Sequence, residues 1–335
     1  MNNVVVIKDK IKPFISKINE IMGDKSISIR FLILSSFGYG TSKAKNLSIS
    51  DDILNTIECL RKLGIKIQSD KNNTYVQGVG IDNFLKKKNI SLNAGNSGTA
   101  ARLLASTLVR YDYPIKITGD NSLIKRDMRR IIEPLQEFGV KFLTKRNTLP
   151  LIIQGSKFIR PINYLENRGS AQCKSAVMIA GLMAPGVTKL KCKPSRDHTE
   201  LFFRNVLKIP LKIVKTKKFD YISVKGNCQF KSFKYNIPGD VSSASFFIVL
   251  TLLSKNSKIV ITNINLNPTR TGMIKILNLM GAKIRFKNVK TYKGEKIGDI
   301  IVTSKNNLKG IKCPAKFNSS AIDEILLLFL VSSVS

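Results

Sequence analysis

A chain of 335 residues, of which 43% are hydrophobic, has enough apolar material for the cores of two ordinary domains. Its 56 Lys and Arg residues against 22 Asp and Glu residues give a net charge of +34, which indicates anionic partners. The five cysteines form no C-x-x-C pair, there is one histidine, and residues 1–10 carry no signal-peptide pattern. These features argue against a zinc site, a disulfide framework and secretion, and we expect a reducing, cytoplasmic setting.

The lysines are spread over the whole chain and are not interleaved with aromatic residues, which is unlike a nucleic-acid surface. We therefore expect solvated surface lysines together with a site for small anionic molecules, and no nucleic-acid partner. Because no apolar run approaches the ~20 residues of a membrane helix, we expect no membrane partner either.

An amphipathic helix followed by a strand is predicted at residues 51–68, where apolar residues recur at spacings of three and four. Gly64 follows the last apolar position of the helix, as expected of a glycine that ends a helix. The same pattern recurs with Gly139, 75 residues later, and with Gly281, another 142 residues on. A degenerate copy lies between them at residues 197–213. The chain is therefore predicted to repeat a unit of about 72 residues.

A second type of helix keeps the same period and is apolar nearly all round after a small, polar start, which predicts burial. Helix starts present free N–H groups and a positive dipole end, so several of them together would bind anions. The alternative is that the serines and glycines are only helix caps. Five copies in phase, three of them followed by a basic residue, favour a binding site. Their serines are Ser26, Ser97, Ser170, Ser242 and Ser320.

Four units are complete by this pattern, and the fifth stops at Ser335 directly after its apolar helix. An uncovered apolar helix is a poor end for a domain, so the sequence is expected to be a fragment of a longer chain.

Seven motifs occur in the order typical of one enzyme family. The chain resembles the 3-phosphoshikimate 1-carboxyvinyltransferases, or EPSP synthases, over essentially its whole length. The motifs are G-D-K-S-I-S-I-R (23–30), A-G-N-S-G-T-A-A-R (94–102), K-R-D-M-R-R (125–130), G-S-A-Q-C-K-S-A (169–176), S-R-D-H-T-E (195–200), P-G-D-V-S-S-A-S (238–245) and D-E (323–324).

The resemblance implies an α/β, two-domain enolpyruvyl-transferase fold, similar to an inverted α/β barrel and built from repeated units, with the active site between the domains. Residues 21–239 would form the first domain, of three units, on the shikimate 3-phosphate side. Residues 1–20 with 240–335 would form a second, incomplete domain that carries Asp323.

The implied reaction moves the enolpyruvyl group of phosphoenolpyruvate onto the 5-hydroxyl of shikimate 3-phosphate and releases phosphate. It belongs to the shikimate pathway to chorismate and the aromatic amino acids. The resemblance implies addition and elimination through a tetrahedral ketal phosphate, with no metal or organic cofactor, in a cytoplasmic monomer. Both substrates carry a phosphate and a carboxylate, so the site needs fixed cations and N–H donors.

The resemblance also implies individual site residues. Lys25 would contact both substrates and take part in catalysis together with the carboxylates Asp323 and Glu324. Substrate binding is implied for Lys25, Ser26, Arg30, Asn96, Gly98, Arg126, Ser170, Ala171, Gln172, Ser195 and Asp323.

Shikimate 3-phosphate would place its carboxylate on Arg30 and its phosphate on Ser170 and Ser195, and Asp323 would hydrogen-bond its hydroxyl groups. His198 would support its loop without acting as a base. The family's later K-E-S-D-R-type motif would lie beyond Ser335, so the 335-residue chain is expected to lack part of the acid–base machinery.

Phosphoenolpyruvate would be bordered by Asn96, Gly98 and Arg126, and Gln172 would lie between the two substrates. One alternative is an enzyme similar to UDP-N-acetylglucosamine 1-carboxyvinyltransferase, against which the loop 119–130 counts because it contains no cysteine. A second alternative is a basic RNA-binding protein on the same scaffold, which would bind polyanions with a steep salt dependence.

Overall fold

The computed structural model describes residues 11–84, 89–304 and 308–334. They form two compact units. The larger unit comprises the described residues of Met22–Pro238 and Lys293–Glu295, and the smaller unit comprises those of Met1–Ile21, Gly239–Tyr292 and Lys296–Ser335. The predicted domain ranges also contain residues 1–10, 85–88, 305–307 and Ser335, which lie outside the described residues.

Single helices and runs of one to three strands follow one another along most of the chain. The helices are α1 (Lys25–Phe37), α2 (Asp51–Lys62), α3 (Gly98–Thr107), α4 (Arg129–Glu137), α5 (Ala171–Met183), α6 (His198–Leu201), α7 (Val241–Leu253), α8 (Gly272–Leu279), α9 (Asn318–Ala321) and α10 (Ile325–Ser332). The strands are β1 (Ile15–Ile18), β2 (Tyr39–Lys45), β3 (Lys66–Ser69), β4 (Asn73–Val79), β5 (Ile90–Asn93), β6 (Ile115–Thr118), β7 (Lys141–Thr144), β8 (Leu151–Gln154), β9 (Asn163–Glu166), β10 (Val187–Cys192), β11 (Leu211–Lys215), β12 (Asp220–Lys225), β13 (Lys234–Asn236), β14 (Lys258–Asn265), β15 (Lys283–Tyr292) and β16 (Glu295–Thr303).

The strands form four-stranded sheets that share one topology, in the orders β13-β2-β4-β3, β5-β6-β8-β7, β9-β10-β12-β11 and β1-β14-β16-β15. In each sheet the first strand pairs parallel with the second, and the second pairs antiparallel with the third. The repeat that the sequence predicts is therefore a repeat of whole sheets with their helices.

Two of the parallel edge strands do not join the sheet that follows them in the chain. In the sheets that contain β6 and β10, the parallel edge strand directly precedes the buried helix in the chain: β5 precedes α3, and β9 precedes α5. By contrast, β1 precedes α1 but pairs with β14, and β13 precedes α7 but pairs with β2. The chain therefore passes from the smaller unit to the larger one after β1 and returns after β13.

The amphipathic helices end where their sequences predict. Gly64, Gly139 and Gly281 follow α2, α4 and α8 with φ angles of 88°, 98° and 95°, a conformation that glycine adopts without steric cost. The degenerate copy at residues 197–213 contains the short helix α6, one π-helical turn at Phe202–Val206, and then β11.

In the larger unit α1, α3 and α5 are buried on nearly all sides, as predicted. Their exposed or half-buried positions are confined to the first residues: Lys25 and Ser26 in α1, Thr99 in α3, and Ala171 and Gln172 in α5. Because the bodies of these helices are enclosed, their starts are the parts that remain available to a ligand.

In the smaller unit the prediction of burial all round is wrong for α7 and α10. The side chain of Phe246 on α7 is 65% exposed, and Leu326 on α10 is 75% exposed. The opposite faces of both helices join a core with β14, α8 and β16, to which Ile248 and Leu328 belong. The predicted fifth helix is also broken, since α9, a 3-10 turn at Ile322–Glu324 and α10 take its place.

Candidate functional site

The start of α1 holds the first group of predicted site residues. Asp24 caps the helix, with its Oδ1 accepting a hydrogen bond from the Ile27 N–H at 2.9 Å. Lys25 is half exposed, and its Nζ lies 2.9 Å from Asp52 Oδ2 on α2. The half-buried Ser26 follows in the first turn, where its carbonyl oxygen accepts a hydrogen bond from Arg30 Nη1 at 2.9 Å.

Arg30 is buried, and its guanidinium group connects three helices. Its Nε donates to Thr199 Oγ1 on α6 at 2.8 Å, and its Nη2 donates to Ser175 Oγ on α5 at 2.9 Å. Burial lowers the pKa of Arg30 to about 10, against the opposing effect of Glu200. The contacts of Thr199 and Ser175 were not predicted, although both residues lie in motifs that the sequence analysis singles out.

The start of α3 holds the second group. Ser97 caps this helix through the Ala100 N–H at 3.1 Å. Beside it, Asn96 Oδ1 accepts a hydrogen bond from Arg126 Nη2 at 2.8 Å, while Asn96 Nδ2 donates to Asp120 Oδ2 at 2.6 Å. The hydrogen bond from Asn96 is the largest cause that lowers the pKa of Asp120. The exposed guanidinium group of Arg126 is thereby held at the start of the helix.

Arg102 joins the starts of α3 and α5. Its Nη1 donates to Gln172 Oε1 at 2.5 Å, and Gln172 Nε2 donates to Thr99 Oγ1 at 2.9 Å. A Cβ atom added to Gly98 would lie 2.7 Å from Arg102 Nη1 and 3.4 Å from Arg126 Nη1. Burial, with smaller contributions from nearby arginines, lowers the pKa of Arg102 to about 10. In the sequence, Arg102 stands out only as the last residue of the motif at 94–102.

The start of α5 holds the third group. Ser170 caps the helix through the Cys173 N–H at 3.2 Å, and Ala171 is the first helical residue. One turn later, Lys174 Nζ lies 2.5 Å from Glu200 Oε1 and donates to the Ser195 carbonyl oxygen at 3.3 Å. The predicted residue Ser195 is thus held against α5 through its backbone.

His198 is buried on α6, and its Nδ1 lies 2.6 Å from Glu295 Oε1, which is also buried. The pair lies inside the larger unit and joins α6 to Glu295, the first residue of β16. This contact fits the supporting role that the sequence analysis expects of His198.

The three helix starts therefore lie side by side in the larger unit. Arg30 bonds α1 to α5 and α6, and Arg102 bonds α3 to α5. Buried guanidinium groups beside helix N-termini favour phosphate and carboxylate ligands, because both supply positive charge and N–H donors.

The smaller unit holds the predicted carboxylates. Asp323 is 42% exposed, with its Oδ2 lying 3.8 Å from Arg270 Nη2. Glu324 is buried and accepts a hydrogen bond from the hydroxyl of Ser242 at the start of α7, to which Arg270 also donates at 2.7 Å. Asp240 caps α7 through the Ser242 N–H at 2.8 Å.

Two further features concern the part of the chain that the structure describes. No group of three or more His, Cys, Asp or Glu side chains is arranged there to hold a metal ion. No helix there combines the length and apolar character that a membrane span requires.

A family model, related sequences and a solved structure all match this chain, and their names agree. The model of the family described as EPSP synthase (3-phosphoshikimate 1-carboxyvinyltransferase) matches residues 8–332. The 3-phosphoshikimate 1-carboxyvinyltransferase of Petrotoga mobilis is 39% identical over 315 residues, which cover 93% of this chain and 72% of that protein. The protein of the same name from Ruthia magnifica is 38% identical, with coverage of 94% and 71%.

A structure of EPSP synthase from Acinetobacter baumannii superposes with a TM-score of 0.83 at 34% sequence identity, and the match covers 95% of this chain and 71% of that one. The predicted α/β fold of this type is thereby confirmed.

Proposed function

We propose that the starts of α1, α3 and α5 bind the substrates of this chain, which belongs to the EPSP synthase (3-phosphoshikimate 1-carboxyvinyltransferase) family. Its reaction transfers the enolpyruvyl group of phosphoenolpyruvate to the 5-hydroxyl of shikimate 3-phosphate, in the biosynthesis of aromatic amino acids. The names of the relatives support this interpretation and support neither the sugar-nucleotide enzyme nor the RNA-binding protein.

One observation carries the assignment of the site: two buried arginines, Arg30 and Arg102, each make hydrogen bonds to the start of α5 or its first turns. A buried cation is costly unless it is compensated, and burial is the largest cause that lowers the pKa of both arginines. An anionic ligand at these helix starts supplies the missing negative charge.

Shikimate 3-phosphate is assigned to the side of α1 and α5. Three of the five N–H groups of Arg30 are used inside the protein, and the remaining two suit the substrate carboxylate. Ser170 with Ala171 at the start of α5, and Ser195, are assigned to the phosphate. Ser26 and Lys25 complete this side, where Lys25 supplies a half-exposed ammonium group.

Phosphoenolpyruvate is assigned to the side of α3. Asn96 holds the exposed Arg126, and the absence of a side chain at Gly98 leaves room for the guanidinium groups of Arg126 and Arg102. Gln172 is oriented by Arg102 and lies between this side and the shikimate side.

Proton transfer at the 5-hydroxyl requires a carboxylate that a substrate can reach. Asp323 is the more exposed of the two predicted carboxylates, so we assign the transfer to it. Lys25 stays a proposed catalytic residue of the larger unit. Glu324 is buried and accepts a hydrogen bond from the Ser242 hydroxyl. This contact fits a residue that holds the start of α7 in place better than one that exchanges protons with a substrate.

We also propose that the chain works as a cytoplasmic monomer. Its five cysteines are all free, which fits a reducing compartment. Light scattering on a size-exclusion column tests the monomer, and a constant molar mass of twice the chain mass would contradict it.

Calorimetric titration with shikimate 3-phosphate tests the assignment of the site. We expect Arg30→Lys to bind at least tenfold more weakly, because an ammonium group has neither the reach nor the planar donors of a guanidinium group. Arg61→Lys on α2 is the matched control, since Arg61 is half exposed and pairs with Glu58. Equal affinity of Arg30→Lys and the unsubstituted chain would contradict the assignment.

A further inference from the structure

Arg30 is held by a pair of hydroxyl groups that no substrate role accounts for. Thr199 Oγ1 accepts a hydrogen bond from Arg30 Nε at 2.8 Å, and Ser175 Oγ accepts one from Arg30 Nη2 at 2.9 Å. The two hydroxyl oxygens lie 2.7 Å apart and are themselves hydrogen-bonded. Both side chains are fully buried, so solvent does not replace either acceptor.

The two hydroxyls occupy one particular edge of the guanidinium group. Nε and Nη2 together form the side edge of an arginine, and each of them donates to one of the two hydroxyls. Nη1 uses one hydrogen on the Ser26 carbonyl oxygen. One hydrogen therefore remains on Nη1 and one on Nη2, which is the number that a bidentate carboxylate accepts.

Thr199 is itself fixed by its neighbours in the chain. The preceding residue, His198, contacts Glu295 at 2.6 Å, and the following residue, Glu200, pairs with Lys174 at 2.5 Å. All of these side chains are buried. Three consecutive side chains of α6 are thus anchored, so the position of the Thr199 hydroxyl is well defined.

We propose that Thr199, with Ser175, is a positioning residue that turns the free N–H groups of Arg30 toward the carboxylate of shikimate 3-phosphate. The proposal rests on the proposed function, in which Arg30 binds that carboxylate. Without the Thr199 hydroxyl, the Nε–H of Arg30 has no acceptor at that position, and one of the two hydrogen bonds that orient this edge of the guanidinium group is lost. The carboxylate then loses its bidentate partner, whereas the phosphate contacts at Ser170 are unchanged.

The test compares Thr199→Val with Thr199→Ser, because valine keeps the shape of threonine and serine keeps its hydroxyl. Thr188→Val is the matched control: Thr188 is also buried, and its Oγ1 has no hydrogen-bond partner among the described residues. Each variant is titrated calorimetrically with shikimate 3-phosphate and with its carboxamide analogue, which keeps the phosphate but lacks the negative charge of the carboxylate.

We expect Thr199→Val to bind shikimate 3-phosphate about tenfold more weakly, on the scale of one lost hydrogen bond to a charged group. Its affinity for the carboxamide should equal that of the unsubstituted chain. Thr199→Ser and Thr188→Val should both stay within twofold for both ligands. The ligand comparison separates positioning from a general loss of structure, which would weaken both ligands alike.

Two results overturn the inference: unchanged binding of shikimate 3-phosphate by Thr199→Val, or equal weakening toward both ligands. If Thr199→Val does not fold, Ser175→Ala removes the other acceptor of the same edge and is judged by the same two ligands. Failure of the proposed function looks different, because the unsubstituted chain would then not distinguish shikimate 3-phosphate from its carboxamide.

Discussion

Replacing Gly98 by alanine is expected to disturb the phosphoenolpyruvate side while leaving the fold intact. The new Cβ would lie 2.7 Å from Arg102 Nη1, whereas ordinary contacts begin at 3.4 Å. The guanidinium group must therefore move by about 0.7 Å, the difference between these two distances. Gly98 is the first residue of α3, where alanine is a better helix former, so the helix itself should not suffer.

The expected loss follows from what Arg102 holds. Its Nη1 is bonded to Gln172 at 2.5 Å, and the added methyl group also meets Arg126 at 3.4 Å, so the shift is passed to two proposed ligands of phosphoenolpyruvate. Overpacking of this kind costs about 1–3 kcal/mol. If about 1.4 kcal/mol of that appears in binding, affinity falls roughly tenfold, because this energy corresponds to a factor of ten.

Calorimetry with phosphoenolpyruvate, at saturating shikimate 3-phosphate, measures the half-saturating concentration for Gly98→Ala. Gly310→Ala is the control, because no atom lies within 4 Å of its added Cβ. The thermal midpoint should fall by no more than about 2–4 °C in Gly98→Ala and should not change in Gly310→Ala. Binding by Gly98→Ala within twofold of the control would refute the reasoning, since Arg102 would then have moved without consequence.

Three further results are expected. Lys25→Met should weaken shikimate 3-phosphate binding by about 2 kcal/mol in calorimetry, since it removes a charge-assisted contact, while Lys62→Met on α2 should have no effect. Asn96→Ala should raise the pKa of Asp120 in a carbon NMR titration, because the lowered pKa depends chiefly on the Asn96 hydrogen bond. The stability that this carboxylate contributes is present above about pH 4 and is lost as the pH falls through its native pKa. The variant should therefore lose less stability on acidification than the unsubstituted chain, and an unshifted pKa of Asp120 contradicts the prediction. Iodoacetamide at about pH 8 should alkylate Cys313 first, as followed by mass spectrometry, because Cys313 is exposed. Burial raises the pKa of the Cys59, Cys173 and Cys192 thiols to about 12, so early labelling of any of these three contradicts the prediction.

Helix ends were predictable because they depend on neighbouring residues. A glycine after an amphipathic run predicts the end of a helix, and the three predicted glycines have the left-handed φ angle that this role needs. The cap of each helix of the second, apolar type was less predictable. Ser97 and Ser170 cap their own helices, but Asp24 and Asp240 take that role in α1 and α7, where the serine of the repeat lies inside the first turn.

The fifth helix shows the limit of pattern reasoning. A continuous apolar run after Ser320 predicts one buried helix, yet three short helical pieces occur there and Leu326 is largely exposed. Periodicity states which residues are apolar, but it does not state what packs against them. Burial depends on the surrounding elements, which a local pattern does not contain.

By itself, the sequence determined the repeat of about 72 residues, the α/β fold and the family, because each of these depends on motifs and periods that can be read along the chain. Tertiary structure alone decided how the site is built: the partners of Arg30 lie 169 and 145 residues away from it, on α6 and α5. It also decided that Arg102 orients Gln172 across 70 residues and that Glu324 faces Ser242. Such contacts depend on the packing of whole helices against one another, and the spacing of residues along the chain carries no record of that packing.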